Sequence, residues 1–267
     1  MREAAFFDLD KTVIAKASMA AFGRSLYDGG LINRRTALRA VYAQLVYMHL
    51  GASEEKLERI RESVLQLTKG WSRDRVCEIV DETLEEIVEP IVYREAIELI
   101  DQHRADGRLV VIVSASPEEI VVPLGRYLGA DAVIASRARL DEEGRYTGAM
   151  AFYAYGPYKA EAIRGIAEER GVDLEGSYAY SDSYTDAPML ETVGHPVAVN
   201  PDRVLQKLAR DRGWEIRQFV RPVRLRDRVQ PSKPAVAVTI AAMGLGAGAV
   251  AVGWWLGARR PDTANAG

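Results

Sequence analysis

The chain has 267 residues, a formal net charge of −3, 48% hydrophobic residues and one cysteine. That length suits one α/β core with an insert, and the hydrophobic content supports a sizeable core. A single cysteine, Cys77, excludes an intramolecular disulfide framework and is compatible with a reducing compartment; it lies in a helical pattern and is read as packing.

The first expected element is a strand ending in Phe6-Phe7-Asp8-Leu9-Asp10-Lys11-Thr12-Val13. On a strand, residues two apart point to the same side, so Asp8 and Asp10 share a face. Two close carboxylates repel, and a site that keeps both holds a cation or a shared proton. The chain enters this strand almost at once, so no secretory signal is expected. Residues 16–93 read as wholly helical. Periodicity runs from Ala37 to His49, and Ser53 and Ser72 stand as N-caps before helical stretches, the second covering Arg73–Val88.

A second strand follows in Arg108–Val113, an unbroken apolar run of the buried parallel kind, with Ser114 at its end. Ser116-Pro117-Glu118-Glu119 reads as a capping box with proline at the first helical position, so Ser114 and the first helical amides would face one crevice suited to an anion. Residues 138–148 read as a hairpin turning at Glu143-Gly144. Gly156-Pro157-Tyr158-Lys159 opens a helix, on which a lysine would ordinarily be solvated. Tyr178–Ser181 is a further strand ending at Asp182, and Asp186 follows at the start of the next helix, where N-capping alone would explain it.

Taken together and in this order, the four motifs resemble those of the haloacid dehalogenase superfamily, subfamily IB, in its phosphoserine-phosphatase-like branch. The resemblance covers roughly residues 3–216. The long helical insert and the 138–148 hairpin favour that branch. Ser181 and Ser183 stand where many members carry glycine, but neither change removes a ligand.

The resemblance implies an α/β fold: a Rossmann-like, doubly wound parallel sheet from residues 1–15 and 94–216, with a helical cap (16–93) inserted after the first strand. It also implies Mg²⁺-dependent hydrolysis of a phosphomonoester through an aspartyl-phosphate. Asp8 would be the nucleophile and Asp10 the general acid and base, with Thr12 helping to orient Asp10 and joining the phosphate-binding set. Asp8, the backbone carbonyl of Asp10 and Asp182 would hold the metal. Ser114 and Lys159 would hold phosphate oxygens, and Lys159 would offset charge in the transition state. Asp186 would orient Lys159 or a metal-bound water. Phosphoserine phosphatases carry a glutamate shortly after the first motif that grips the substrate ammonium; here Ala17 stands about there, and no acid appears before Asp28.

The last expected elements follow the core. Residues 217–234 form a basic linker. Ala235 to Ala258 is a run of 24 uncharged residues in which Thr239 alone is polar. A helix of that length would span about 36 Å, enough for a bilayer core of about 30 Å. Trp254 and Trp255 suit an interface. This run is expected to be a C-terminal transmembrane helix, with 259–267 as a short tail. Residues 217–267 carry a net +6 and residues 1–216 a net −9. The richer basic flank precedes the span, so the expectation is a single-pass cell-membrane protein with a cytoplasmic catalytic domain. Two GxxxG spacings leave room for a homodimer through the helix. No nucleic-acid partner is expected. Membrane tethering would favour a lipid-linked phosphate as substrate. The alternatives are a soluble small-molecule phosphatase such as a phosphoserine phosphatase, a phosphomutase with the same chemistry, and an aspartyl-phosphate signalling or scaffold module.

Overall fold

The computed structural model describes residues 2–32 and 62–220. It divides the chain into two compact units, 1–227 and 228–267. The second lies outside the described residues.

Strand β1 (Ala4–Asp8) is followed by helix α1 (Ser18–Asp28), a helical segment over 62–68, α2 (Arg73–Val88) and α3 (Arg94–Ala105). Then come β2 (Leu109–Pro117), α4 (Glu118–Leu128), the antiparallel pair β3 (Ala132–Leu140) and β4 (Tyr146–Phe152), and α5 (Pro157–Arg170). Strand β5 (Tyr178–Ser181), a short turn and α6 (Ala187–Leu190), β6 (His195–Val199), α7 (Arg203–Arg212) and β7 (Glu215–Arg217) complete the unit. The sheet order is β4-β3-β2-β1-β5-β6-β7, parallel except for β3 with β4.

The apolar runs of β1 and β2 reflect this order. Both strands are central, and residues 4–7 and 110–113 have no exposed surface. Parallel strands covered on both faces need continuous rather than alternating hydrophobicity. Alternate residues feed two cores. Ala5, Phe7, Val110 and Ile112 pack with α3 and the described cap helices. Ala4, Phe6, Val111 and Val113 pack with α5, α6 and α7. Registry does the rest: Asp8 lies beside Val113, one residue before Ser114, and Phe7 lies beside Tyr180, one residue before Ser181. Asp8 at the end of β1 and Ser181 at the end of β5 therefore stand level with Val113 and Ser114 of β2, which runs on to Pro117.

The chain leaves the core and returns to it side by side. Ala15 N–H donates to the Ile91 carbonyl at 2.7 Å and Tyr93 N–H to the Val13 carbonyl at 2.9 Å. Ser72 caps α2 as its sequence predicts, accepting from Arg75 N–H. The expected helix over 37–49 and the Ser53 cap lie outside the described residues. The hairpin turns at Gly144, whose φ of 72° suits glycine. Strand β7 runs through Arg217, and Phe219 is buried beyond it.

The expectation of a C-terminal transmembrane helix is corrected. No helix among the described residues is long and apolar enough to cross a membrane, and 235–258 lies outside them. The physical reason lies in composition. The run owes its lack of charge largely to alanine and to Gly244, Gly246, Gly248, Gly253 and Gly257. The expectation rested on that lack of charge and on length, which do not by themselves establish a helix. The single-pass location rested on this helix and is withdrawn with it; the homodimer contact falls on the same segment.

Candidate active site

Where β1 and β5 end beside Ser114 of β2, the chain changes character. After Asp8, Lys11 adopts a left-handed φ of 64°. Val13 N–H and Ile14 N–H both return to the Leu9 carbonyl, closing a tight turn. A non-glycine residue held in this region stores strain of about 1 kcal/mol or more, a feature that clusters at functional sites.

Lys159 is the hinge of the site. It is 3% exposed, and its Nζ donates to Asp8 Oδ1 at 2.7 Å and to Asp186 Oδ2 at 2.8 Å. The surface position that a helical lysine would ordinarily take is therefore not adopted. Gly156, with φ of 54°, turns the chain into α5 so that Lys159 falls in its first turn facing the strand ends. Asp186 does not cap the following helix with its side chain; it accepts from Lys159 and from Ser181 Oγ, the latter at 2.7 Å. Ser181, noted in sequence only as a departure from glycine, thus orients the acid that orients the lysine.

Asp10 is held differently from expectation. Its Oδ1 accepts from Ser18 N–H at 2.6 Å and its Oδ2 from Ser116 Oγ at 2.9 Å. Thr12, expected to orient it, is fully buried, and its hydroxyl has no hydrogen-bond partner among the described residues. Ser116 does not cap α4 either: Pro117 is the N-cap residue, with no side-chain bond. Ser114 is fully buried at the end of the apolar part of β2, and its Oγ accepts from Ser116 N–H at 3.1 Å. Ser18 and Ser116 are site residues that sequence reasoning missed.

The electrostatics are those of a cluster with too many carboxylates. Burial pushes Asp8 well above the usual carboxylate range. Lys159 pulls it back, while Asp186, Asp182 and Asp10 push it further up. Asp182 is raised to about 6, mainly by burial, with Lys11 opposing and Asp186 adding to the shift. Burial disfavours the Lys159 ammonium, but Asp8 and Asp186 overcome that and hold it above its ordinary value. Uncompensated buried carboxylates are what a divalent cation relieves. No group of three or more His, Cys, Asp or Glu side chains among the described residues forms a metal site alone. Two carboxylates and a backbone carbonyl, a set that leaves room for water and phosphate oxygen, fit magnesium better than an all-protein cage.

Cys77 stays out of this chemistry; burial pushes its thiol up. A surface hollow of about 530 Å³ lined by Tyr178, His195, Arg212 and Trp214 lies at the amino ends of β5 and β6. Ligands of open parallel sheets bind at the carboxyl ends, where the acids are.

Comparison with known proteins agrees with the geometry. The family model of haloacid dehalogenase-like hydrolases matches residues 5–191. The chain is 51% identical over 98% of its length to an "inhibition of morphological differentiation protein" of Streptomyces azureus, covering 96% of that protein. It is also 51% identical, over 92% of its length and 85% of the relative, to a probable phosphatase of Mycobacterium tuberculosis. A phosphoserine phosphatase of the same organism is 35% identical, over 81% of this chain and 70% of the relative. In fold, the chain matches a solved phosphoserine phosphatase carrying a phospho-aspartyl intermediate analogue, with a TM-score of 0.57, 20% identity and coverage of 85% and 96% of the two chains. The chain belongs to the haloacid dehalogenase-like hydrolases and is a phosphatase of their phosphoserine-phosphatase-like kind.

Proposed function

We propose that this phosphatase is a Mg²⁺-dependent phosphomonoester hydrolase that works through an aspartyl-phosphate on Asp8, with small-molecule esters as substrates. The observation that carries this reading is the buried Lys159 bridge between Asp8 and Asp186, with a second acid, Asp10, held two residues beyond Asp8.

In this reading Asp8 Oδ attacks phosphorus as the ester P–O bond breaks, and the bond's electron pair leaves with the alcohol oxygen. Asp10 donates a proton to that oxygen. It then takes a proton from the water that hydrolyses the aspartyl-phosphate. The Lys159 ammonium offsets charge on the transferring group, and Asp186, itself fixed by Ser181, keeps it there. Ser114 and Thr12, two buried hydroxyls, are the further phosphate-binding candidates. Mg²⁺, held by the Asp8 and Asp182 carboxylates and the Asp10 backbone carbonyl, would supply positive charge for the phosphoryl oxygens. The lipid-linked ester favoured by a membrane helix loses its ground with that helix. The relatives named as phosphatases and a phosphoserine phosphatase support a small ester instead. Ala17 offers no carboxylate for a substrate ammonium, so phosphoserine itself is not singled out.

The test is phosphate release from a panel of phosphoserine, sugar phosphates, nucleotides and p-nitrophenyl phosphate, with and without Mg²⁺. The expected outcome is Mg²⁺-dependent turnover that chelation removes and Asp8→Asn abolishes. Asp10→Asn should fall about 10²- to 10⁴-fold. A phosphoenzyme that survives for minutes without turnover would move the assignment to signalling.

A further inference from the structure

The two donors on Asp10 come from opposite parts of the molecule. Ser18 is the first residue of α1, the first helix of the insert between β1 and β2, and Ser116 lies near the end of β2 in the core. They are also bonded to each other: Ser18 Oγ donates to Ser116 Oγ at 2.8 Å. With that bond accepted, Ser116 Oγ has its own proton for Asp10 Oδ2, while Ser18 N–H serves Oδ1. Both serines are buried, at 0% and 7% exposure. Ser116 gives up the helix-capping bond for which its sequence position suits it, and α4 starts without a side-chain cap. The terminal torsion of an aspartate is broad, so one donor would leave the carboxyl free to turn. Donors on both oxygens, from two elements, fix its plane.

We propose that Ser116 and Ser18 are positioning residues for Asp10, setting its carboxyl for proton donation and stabilising the carboxylate that donation creates. The assignment rests on the reading of Asp10 as the acid. When the ester P–O bond breaks and the Asp10 proton passes to the leaving oxygen, negative charge returns to the carboxyl. Each of the two hydrogen bonds then becomes charge-assisted and stronger. Their contribution is therefore larger in the transition state than before it, which is the condition for accelerating the step. The benefit is confined to esters whose alcohol cannot leave without a proton.

The experiment compares kcat/KM of the full chain, with Mg²⁺, for a primary alkyl phosphate and for p-nitrophenyl phosphate, whose phenolate leaves unaided. Ser116→Ala is expected to lower the alkyl ester about tenfold to hundredfold, the size of a lost hydrogen bond to a charged group, and to leave the aryl ester nearly unchanged. Ser116→Thr should restore the alkyl rate. Ser18→Pro is the second variant: proline suits the first helical position, and Ala17 before it is already extended at ψ 126°. It removes the N–H donor and should give the same selective loss. A parallel fall for both esters, a rise in KM alone for both, or no change in either would overturn the assignment. A wild-type chain that releases phosphate from neither ester overturns the phosphatase mechanism first, and this assignment with it.

Discussion

Lys159 decides whether Asp8 and Asp186 can be buried together. Removing one partner of a buried, hydrogen-bonded ion pair costs about 3–5 kcal/mol, because the remaining charge is left without compensation. Lys159→Ala should therefore lose stability in denaturant titrations as well as turnover, by about 10²-fold or more in kcat. Added Mg²⁺ should return part of the lost stability and little of the turnover, since a cation relieves the carboxylates without restoring the donor. Lys159→Arg should fare poorly too: a planar fork does not replace a compact ammonium placed 2.7 Å and 2.8 Å from two acids. Asp8, Asp10, Ser114, Lys159, Asp182 and Asp186 were named through the family resemblance, at strand ends and helix starts; the local pattern alone left Lys159 solvated and Asp186 a helix cap, and the structure instead joins Lys159 to Asp8 and Asp186. Ser116 and Ser18 were not legible as site residues. The Ser116 bond to Asp10 joins residues 106 positions apart, and only the registry of β1 against β2 brings them together. The local pattern around Ser116 pointed to a helix cap, and a tertiary partner took its hydroxyl instead.

At the scale of elements, the turn into α5 governs the lysine. Among the described residues, a Cβ at Gly156 would meet only the Thr185 carbonyl, at 3.8 Å, so space is not what requires glycine there. Its φ of 54° is. Gly156→Ala should cost about 1–2 kcal/mol of stability by thermal or chemical denaturation. A larger drop in turnover than in stability would show that the strain is relieved by moving the start of α5, and Lys159 with it. The strands β1, β2 and β5 were legible from their apolar runs, and the helices α2 and α5 from Ser72 and Gly156-Pro157. The span expected at 235–258 rested on the length and lack of charge of the run, which do not by themselves establish a helix, and it lies outside the described residues.

Across the whole molecule, the face of the sheet beneath the site carries a buried aromatic and histidine cluster. Phe7 stacks on Tyr180 with ring centroids 4.4 Å apart, and His103 from α3 packs edge-on against both. Arginine has no acceptor, so the 3.3 Å contact of Arg108 Nη1 makes His103 Nδ1 the acceptor, and His103 Nε2–H donates to Tyr180 Oη at 2.7 Å. Burial, with Arg108 and Arg217 nearby, lowers His103 from 6.5 to about 4. A histidine depressed in the folded state binds its proton first in the unfolded chain. Its contribution to stability is therefore complete above pH ~6.5 and is lost as pH falls toward ~4, by at most about 3 kcal/mol. His103→Gln should flatten the stability–pH curve across that window, measured by denaturant midpoints. Phe7, in turn, adjoins Asp8 on β1, a strand hydrogen-bonded along both edges and sealed on both faces. A strand placed there has no low-energy way to open by itself. Amide exchange along Ala4–Phe7 then reports the global unfolding free energy, and heat inactivation of the enzyme coincides with its cooperative melting rather than preceding it.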